Sequence, residues 1–389
     1  MKTLGIISEF NPFHNGHRYL LEEAKSELDV DLSVSLMSGD FVQRGEASIM
    51  DKYTRARVAV RCGFDLVVEM PNFVSLQAAE FFALKSVAIL DKMNIDYLVF
   101  GIENITPDIF LANAKTILEN QEIIDFKTKN LLSKGISYPK AHNLPLSSFV
   151  SEGFLSSNNI LALEYMKAIH KINSDMKAYP IRRIKTRNKD TEISHNKYAS
   201  STAIRNNQNL NIQTLMPDES YNSLIDFNKK YNPFDYDYIH RIFRYKILIE
   251  DSSMENIIGY EEGLNNYLKK LASLNTSYES FINQSSSQRY TKSRIRRLIL
   301  NYILDNTIDL NEADISFIKV LAFNEKATNL FKYYSKNLDI VINKKDQNNL
   351  DNDNLKIYKK NIAASNLYSL GINRELDYDF KHYNRPIKW

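Results

Sequence analysis

The chain opens with the stretch Gly5-Ile6-Ile7-Ser8-Glu9-Phe10-Asn11-Pro12-Phe13-His14-Asn15-Gly16-His17. An apolar, strand-like run ends at Asn11-Pro12-Phe13, and a helix is then predicted to begin. Its two histidines are three residues apart, so they share a helix face beside the N–H groups at the positive end of the helix dipole. Paired imidazoles can donate hydrogen bonds to oxygens that gain charge when an α-phosphate is attacked, and Gly16 leaves room for a nucleotide near the backbone. A structural histidine pair is the alternative, but the position directly after the first strand favours a nucleotide site.

Short β-rich runs alternate with amphipathic helical stretches in the first half of the chain. The strand candidates are residues 4–10, 32–37, 65–69 and 97–101, and the helix candidates are residues 16–28, 52–62, 76–93 and 107–119. This βαβα order predicts an α/β fold with a Rossmann-like parallel sheet covered by helices on both faces. Ligands bind outside the carboxyl ends of the strands in such sheets. We therefore expect the loops at residues 9–16, 38–51, 71–75 and 101–104 to lie together at one edge.

The second half of the chain has a different pattern. From about residue 206, helical segments follow one another at residues 236–250, 260–274 and 290–305. A chain of 389 residues exceeds the size at which a single core stops growing. We predict a parallel-sheet catalytic domain over residues 1–210 and a mainly helical domain over residues 211–389. Residues 343–354 are rich in Asn, Asp and Lys and predict a solvated loop.

The composition excludes several classes of protein. With 43% apolar and 25% charged residues and no run of about 20 apolar residues, the sequence is neither disordered nor membrane-embedded. The first residues enter a strand-like run rather than a signal peptide, so we expect a cytoplasmic protein. Cys62 is the only cysteine, and the other histidines, His142, His170, His240 and His382, lack metal-ligand spacing. No protein-bound metal is expected.

A second candidate motif is Ala199-Ser200-Ser201-Thr202-Ala203-Ile204-Arg205. Hydroxyl groups at a helix start cap the helix and can equally bind phosphate. An ordinary N-cap explains this segment alone. Combined with the histidine motif, Ser200, Ser201 and Arg205 are expected to close over the β- and γ-phosphates and stabilise departing pyrophosphate.

Together the two motifs resemble the adenylyltransferase superfamily related to class I aminoacyl-tRNA synthetases. The segments Phe10 to His17, Met37 to Glu46, Asp65 to Pro71 and Phe100 to Asn104 resemble, more closely, the tRNA(Met) cytidine acetate ligase family. The resemblance continues through Asn158 to Tyr165 and Arg289-Tyr290-Thr291, so it covers most of the chain.

The resemblance implies an enzyme that activates acetate with ATP and transfers the acetyl group to the exocyclic amine of the wobble cytidine, position 34, of elongator tRNA(Met). Its implied partners are acetate and this tRNA, with no obligate protein partner and no membrane, and Mg²⁺ is expected to accompany the ATP phosphates. The implied ATP-binding residues are Ile7, Ser8, Glu9, Phe10, Asn11, Pro12, Phe13, His14, Asn15, Gly16, His17, Arg18, Tyr19, Leu20, Gly101, Asn158 and Arg183. The family usually has a proline where this chain has Ser157, which leaves Asn159 as an alternative to Asn158.

The polar loop at residues 38–46 follows a strand at the expected binding edge, where loops usually carry function. Asp40 is predicted to orient a substrate. Arg44 is predicted to hold the acetate carboxylate, because a guanidinium matches a carboxylate fork. The alternative for Arg44 is a surface ion pair with Glu46.

Two basic stretches are candidates for RNA contact. Arg182, Arg183, Lys185, Arg187 and Lys189 lie within eight residues, and a solvated surface is the alternative for such a run. In the second domain, a predicted helix carries Arg289, Lys292, Arg294, Arg296 and Arg297, with Arg289, Lys292 and Arg296 on one face. We predict that this helix contacts the tRNA, since the anticodon must be held outside the ATP site; a charged solvent face is the alternative.

Two other functions share these motifs. A small-molecule adenylyltransferase of the nicotinate mononucleotide or phosphopantetheine type has the same phosphate motifs but does not need a helical domain with a basic face. A non-catalytic RNA-binding protein would have no reason to keep His14, His17, Ser200, Ser201 and Arg205.

Overall fold

The computed structural model describes residues 1–136, 138–184, 197–334, 338–382 and 384–388. The strands are β1 (Thr3–Ser8), β2 (Leu32–Ser38), β3 (Phe41–Val42), β4 (Glu46–Ala47), β5 (Leu66–Met70), β6 (Tyr97–Ile102), β7 (Lys177–Arg182), β8 (Phe317–Phe323) and β9 (Asp339–Val341). The helices are α1 (Asn15–Leu28), α2 (Lys52–Arg61), α3 (Asn72–Ser75), α4 (Ala79–Lys92), α5 (Pro107–Glu119), α6 (Gln121–Ser133), α7 (Tyr138–Leu146), α8 (Ser157–Lys171), α9 (Ser201–Asn206), α10 (Asp218–Lys230), α11 (Tyr236–Leu248), α12 (Leu264–Leu274), α13 (Tyr278–Ser285), α14 (Lys292–Ile303), α15 (Thr328–Tyr334), α16 (Asn352–Gly371) and α17 (Tyr378–Lys381).

Among the described residues, seven strands form one sheet in the order β7-β6-β1-β2-β5-β8-β9. β1 pairs in parallel with β2 and β6, β2 with β5, and β6 with β7. The predicted α/β fold with a parallel sheet is confirmed, and the four predicted strands correspond to β1, β2, β5 and β6. The chain passes from β5 to β6 across β1, so the strand order reverses between β1 and β6. Ligands bind at such a reversal, beside the carboxyl ends of the strands.

The edges of the sheet were not predicted. β7 is an edge strand that pairs with β6 and contains Pro180, a residue that sheets tolerate mainly at an edge. β8 runs antiparallel to β5 and is followed by β9. Both of these strands come from residues 317–341, so the carboxyl-terminal half of the chain completes the sheet.

The helical part of the chain shares its core with the first half. One cluster of buried residues joins Phe41, Met50 and Leu76 to side chains of α10 to α14 and of α16. A boundary at residue 210 stays a prediction, and this cluster has residues on both sides of it. Residues 343–354 form a short 3₁₀ helix, Lys344–Asn349, and the start of α16 rather than a solvated loop throughout.

A buried ion-pair cluster holds α17 to the sheet. The Lys52 Nζ atom lies 2.7 Å from Glu69 Oε1 and 2.7 Å from Asp379 Oδ1, and all three side chains are buried. A buried charge without a partner is strongly unfavourable, so each member needs the others. Within the described residues, no helix combines the length and apolar character that crossing a membrane requires.

The β3–β4 hairpin packs directly against α14. Gly45 lies at the tip of this hairpin with a positive φ of 71°. A Cβ atom at this position would lie 2.6 Å from the backbone nitrogen of Arg297 and 2.7 Å from the Cβ atom of Arg296. Both the backbone conformation and the close approach of the helix therefore require glycine here.

We expect Gly45→Ala to lower the free energy of unfolding by at least about 1 kcal/mol more than Gly259→Ala. Both positions have positive φ, so both variants carry backbone strain, but a Cβ at Gly259 has open space around it. The difference between the variants therefore measures the overpacking against α14, which typically costs about 1–3 kcal/mol. Urea denaturation of both variants tests this, and equal destabilisation would contradict the contact.

Candidate nucleotide site

Two hydrogen bonds at the start of α1 orient both histidines of the motif. His14 is the N-cap residue, and its Nδ1 atom accepts a hydrogen bond of 3.1 Å from the N–H of Gly16. The Nδ1 atom of His17 accepts a bond of 3.2 Å from the N–H of His14. An imidazole that accepts at Nδ1 carries its proton at Nε2 when it is neutral. Neither Nε2 atom has a hydrogen-bond partner within the described residues, so both Nε2–H groups can donate to a ligand.

The two rings stack at 3.8 Å between centroids and are neutral. Burial, together with the positive charges of Arg183 and Arg205, lowers the pKa of His14 to about 3. Burial and the neighbouring His14 lower the pKa of His17 well below its usual value. Gly16 makes this arrangement possible, because a Cβ there would lie 2.9 Å from the His14 ring. The glycine therefore leaves room for the imidazole as well as for a ligand.

Two adjoining cavities open at the carboxyl ends of β1 and β6. The larger one has an apolar lining with polar groups from β1, α1 and the residues after β7; it is lined by residues that include Ile7, Ser8, Gly16, Tyr19, Leu20, Gln43, Phe82, Phe100, Gly101, Leu161, Ala162, Tyr165 and Tyr198. The smaller one is polar and is lined by Val42, Arg44, Glu46, Ser200, Thr202 and Arg205. Both cavities share Glu9, His14, His17, Asn158, Arg183 and Ser201. We call these six residues the junction.

The polar cavity holds several cations. Arg205 donates a 2.8 Å hydrogen bond to the Asn11 carbonyl and lies 3.6 Å from Glu46. Glu46 also pairs with Arg296. Glu46 therefore pairs with these two arginines and not with Arg44, which was the alternative for Arg44. Arg44 is exposed and has no ion-pair partner among the residues that the structure describes. Its guanidinium is available to an anion in the cavity.

The structure separates the roles of the two asparagines. Asn158 lines the junction and donates a 3.0 Å hydrogen bond to Glu103 Oε2. Asn159 is fully buried. Its side-chain oxygen accepts a hydrogen bond from the Glu103 N–H, and its side-chain nitrogen donates one to the Glu103 carbonyl. Asn158 is therefore the one that a ligand can reach.

Gly101 and Arg183 meet beside the nucleotide cavity. A Cβ at Gly101 would lie 2.8 Å from the Cγ atom of Arg183, so the glycine leaves room for that side chain. Burial lowers the pKa of Arg183, although the Glu103 charge opposes this. Of the basic run, Lys185, Arg187 and Lys189 lie outside the described residues.

The other residues of the stretch predicted to bind ATP either line the larger cavity or support the residues that do. Ser8 lines the larger cavity, and its hydroxyl is bonded to Ser35 at 2.7 Å. Phe10 and Phe13 are buried against the His17 ring, and Pro12 is buried beside them. Asn15 donates to the carbonyls of Lys197 and Thr214, and Arg18 pairs with Glu22 on the surface. These groups hold the loop and the helix in place.

The Asp40 carboxylate is buried and hydrogen-bonded to other parts of the chain. Its Oδ1 atom accepts a 2.7 Å hydrogen bond from the backbone N–H of Lys52, and its Oδ2 atom accepts a 2.8 Å hydrogen bond from the Ser365 hydroxyl. The side chain is buried and does not line either cavity. This placement joins the loop at residues 38–51 to α2 and α16, and it disfavours the predicted contact of Asp40 with a substrate. The polar sequence around Asp40 did not reveal that its partners come from α2 and α16.

The serines of the second motif cap α9 at the edge of the polar cavity. Ser200 is the N-cap residue and accepts a 3.0 Å bond from Ala203, as an ordinary N-cap does. Ser201 also lines the junction. The sequence analysis did not single out Gln43, Phe82 or Tyr165 as site residues, because only the packing of α4, α8 and the hairpin brings these side chains to the cavity.

The five basic residues near α14 do not share one solvent face. Arg289 precedes α14, which starts at Lys292, and both of these side chains are exposed. Arg289 and Arg294 pair with Glu261. Arg296 pairs with Glu46, and Arg297 donates a 3.1 Å bond to the Gln43 carbonyl, so these two bond to the β3–β4 hairpin.

The mostly parallel sheet and the paired imidazoles that follow β1 define a nucleotidyltransferase. Residues 1–382 match the family model HIGH Nucleotidyl Transferase. The chain is 35% identical over 410 aligned residues to a Clostridium botulinum (strain Langeland) protein named tRNA(Met) cytidine acetate ligase, covering 99% of this chain and 98% of the relative. A Thermosipho africanus protein of that name is 34% identical, with 95% of each chain covered. The chain belongs to the tRNA(Met) cytidine acetate ligase family.

Solved structures agree with this assignment. A crystal structure of apo Thermotoga maritima TmcAL superposes with a TM-score of 0.87 at 28% identity, covering 99% of this chain and 100% of that one. A second structure of that protein, bound with alpha-thio ATP, gives a TM-score of 0.84 at the same identity and coverage.

We expect His14→Asn to reduce the dependence of stability on pH. The folded-state pKa of His14 is about 3 against 6.5 when unfolded, so its stabilising effect is complete above pH 6.5 and is lost as the pH falls toward 3. Between pH 6 and 4 this histidine contributes a slope of about 1.4 kcal/mol per pH unit. The asparagine keeps an N-cap acceptor. Denaturation across this range should give a shallower slope for the variant, and equal slopes would contradict a neutral imidazole.

Proposed function

We propose that this protein is an ATP-dependent ligase that forms acetyl-adenylate from acetate and then acetylates the wobble cytidine of elongator tRNA(Met). One acetate oxygen attacks the α-phosphorus of ATP, and the bond to the β-phosphate breaks with release of pyrophosphate. The cytidine amine then attacks the acetyl carbon, and AMP leaves. The observation that carries the first step is the pair of stacked neutral imidazoles at the junction, each with a free Nε2–H donor.

The geometry suits binding of ATP across the two cavities. The larger cavity fits the adenosine, because it is mostly apolar with few polar groups. The polar cavity, with Arg44, Arg183 and Arg205, fits the phosphates. In this proposed binding mode the α-phosphate lies at the junction, where fixed donors would stabilise the charge that develops as pyrophosphate leaves. Arg44, which has no ion-pair partner in the described part of the chain, is the proposed acetate contact.

Magnesium is expected to arrive with the phosphates. Among the described residues, no group of three or more His, Cys, Asp or Glu side chains could hold a metal ion. Glu46, one of the carboxylates that line the polar cavity, forms ion pairs with Arg205 and Arg296. The phosphate oxygens would therefore be the main ligands of Mg²⁺. A cytoplasmic location stays a prediction.

Purified protein incubated with ATP, acetate and elongator tRNA(Met) tests this function through AMP formation and the mass of the wobble cytidine. We expect both products only when acetate and tRNA are present. AMP formation with a small acceptor and without any need for tRNA would favour the small-molecule adenylyltransferase. Absence of turnover under all conditions would favour a non-catalytic RNA-binding protein.

We expect Lys292→Glu to raise the KM for tRNA by about tenfold with little change in kcat. Lys292 is exposed at the first turn of α14, where its Nζ atom is 2.6 Å from Asn283 Oδ1. A lysine that neutralises a phosphate contributes to affinity and to its salt dependence, and a glutamate at a helix start does not disfavour the helix. The slope of log(kcat/KM) against log salt should become shallower by about one unit.

The matched control for this prediction is Lys115→Glu, an equally exposed lysine on α5. An unchanged KM for tRNA in Lys292→Glu would place the RNA surface elsewhere. A lower kcat without any change in KM would instead indicate that the variant disturbs the reacting centre.

A further inference from the structure

The junction contains one carboxylate among the residues that the structure describes. Glu9 directly follows β1 and lines both cavities beside His14 and His17. A carboxylate near bound phosphates is electrostatically unfavourable, because like charges in a confined site repel. A contact with the ATP phosphates therefore does not explain a glutamate at this position of the ATP-binding stretch that the resemblance implies, so a role in another step of the reaction is indicated.

The Glu9 side chain has a fixed orientation and a free oxygen. Its Oε1 atom accepts a 2.9 Å hydrogen bond from the Gln43 N–H. Gln43 is held in turn by the bond from Arg297 to its carbonyl. The Arg55 guanidinium donates to the backbone carbonyl of Glu9. The Oε2 atom has no hydrogen-bond partner within the described residues, so it can accept one from a bound molecule.

Charged and titratable groups surround Glu9 from four elements. Burial raises its pKa, and this effect is opposed by the Gln43 hydrogen bond and by Arg205, Arg44 and Arg55. On α8, Tyr165 faces the same cavity, and burial together with the Glu9 charge raises the pKa of its phenol. A carboxylate whose affinity for protons is raised by burial is a better proton acceptor than an exposed one.

The other junction residues cannot accept a proton. The Nδ1 atoms of His14 and His17 are engaged by backbone N–H groups, and their Nε2 atoms carry protons. Arg183 is a cation, and Asn158 and Ser201 are weak bases. The first half of the reaction needs donors for the phosphates, whereas the second half needs a base for an amine. Glu9 is the one junction residue that can act as this base.

We propose that Glu9 is a catalytic residue of the acetyl transfer and accepts the proton that the cytidine amine loses. This inference rests on the proposed function. As the exocyclic nitrogen attacks the acetyl carbon, a C–N bond forms and one N–H proton passes to Glu9 Oε2. The bond between the acetyl carbon and the AMP oxygen then breaks, and AMP leaves with that electron pair. The neutral carboxylic acid returns its proton to solvent after the product departs.

Glu9→Gln separates this role from a structural one. Its amide oxygen can still accept the Gln43 hydrogen bond, but the side chain cannot take up a proton. Two single-turnover rates are measured: acetyl-adenylate formation from ATP and acetate, and acetyl transfer to tRNA from supplied acetyl-adenylate. General base catalysis typically contributes about 10²–10⁴-fold, so the ratio of transfer to adenylate formation should fall at least about a hundredfold. Glu152→Gln, at an exposed position in the loop before α8, is the control and should keep the wild-type ratio.

The pH profile gives a second readout that a structural role would not change. The wild-type transfer rate should rise with pH as Glu9 loses its proton and then level off, because the carboxylate is the base. Glu9→Gln should lack this rise, and Glu9→Asp should restore it with a lower plateau. A loss of the same size in both half-reactions, or a raised Mg²⁺ requirement for adenylate formation, would overturn the proposal in favour of a nucleotide or metal contact.

Retention of transfer by Glu9→Gln would also overturn the proposal and would assign the proton to an oxygen of the AMP phosphate. In that case the wild-type enzyme still acetylates tRNA, and the proposed function stands. Failure of the wild-type protein to acetylate tRNA is a different outcome, because it removes the proposed function itself.

Discussion

The pair of hydrogen bonds that backbone N–H groups make to His14 and His17 is the interaction on which the site depends. Each bond occupies an Nδ1 atom, so it sets the tautomer of the ring and leaves Nε2–H as a donor. Burial keeps both rings neutral, which preserves this pattern over the physiological pH range. The same residues cap α1, and therefore the helix start and the two Nε2–H donors form together. Fixed donors of this kind need no reorganisation when charge develops on a phosphate.

A second set of contacts joins this site to the helical part of the chain. The β3–β4 hairpin lies between them: Gln43 bonds Glu9 on one side and Arg297 on the other. Glu46 pairs with both Arg205 and Arg296. Gly45 allows α14 to approach the hairpin closely, which brings Arg296 and Arg297 to their partners Glu46 and Gln43. The candidate nucleotide site and the segment proposed to meet tRNA are therefore connected through the hairpin by direct side-chain contacts.

Buried charged groups join α2, β5 and α17. Lys52 at the start of α2 is paired with Glu69 on β5 and Asp379 on α17. Asp40 is buried with partners on α2 and α16. Breaking such a pair leaves an uncompensated buried charge, which is costly. The carboxyl-terminal part of the chain is thus joined to the same sheet and to α2, as its two strands β8 and β9 also indicate.

Local patterns were sufficient for the centre of the fold and for most of the polar residues that line the candidate nucleotide site. Hydrophobic periodicity predicted β1, β2, β5 and β6 and the helices between them, because these signals depend on near neighbours in the chain. The spacing of His14, Gly16 and His17 predicted a helix start with donors, and the structure brings Asn158, Arg183, Ser201 and Arg205 to the same place. Contacts between distant segments could not be predicted from local patterns. β8 is buried along its whole length, and such a run does not reveal its pairing partner.

The same physical limit explains the residues whose placement differed from expectation. Asp40 lies in a polar loop typical of function, but its two oxygens are used by Lys52 and Ser365, the latter 325 residues away. Arg296 and Arg297 have the spacing of a solvent face, yet they bond to the hairpin. The amino-acid order determines which side chains share a strand or a helix start, because those distances are set by backbone geometry. Which charges are buried, paired or free for a ligand is decided only when remote elements pack, since burial and ion pairing depend on everything that surrounds a group.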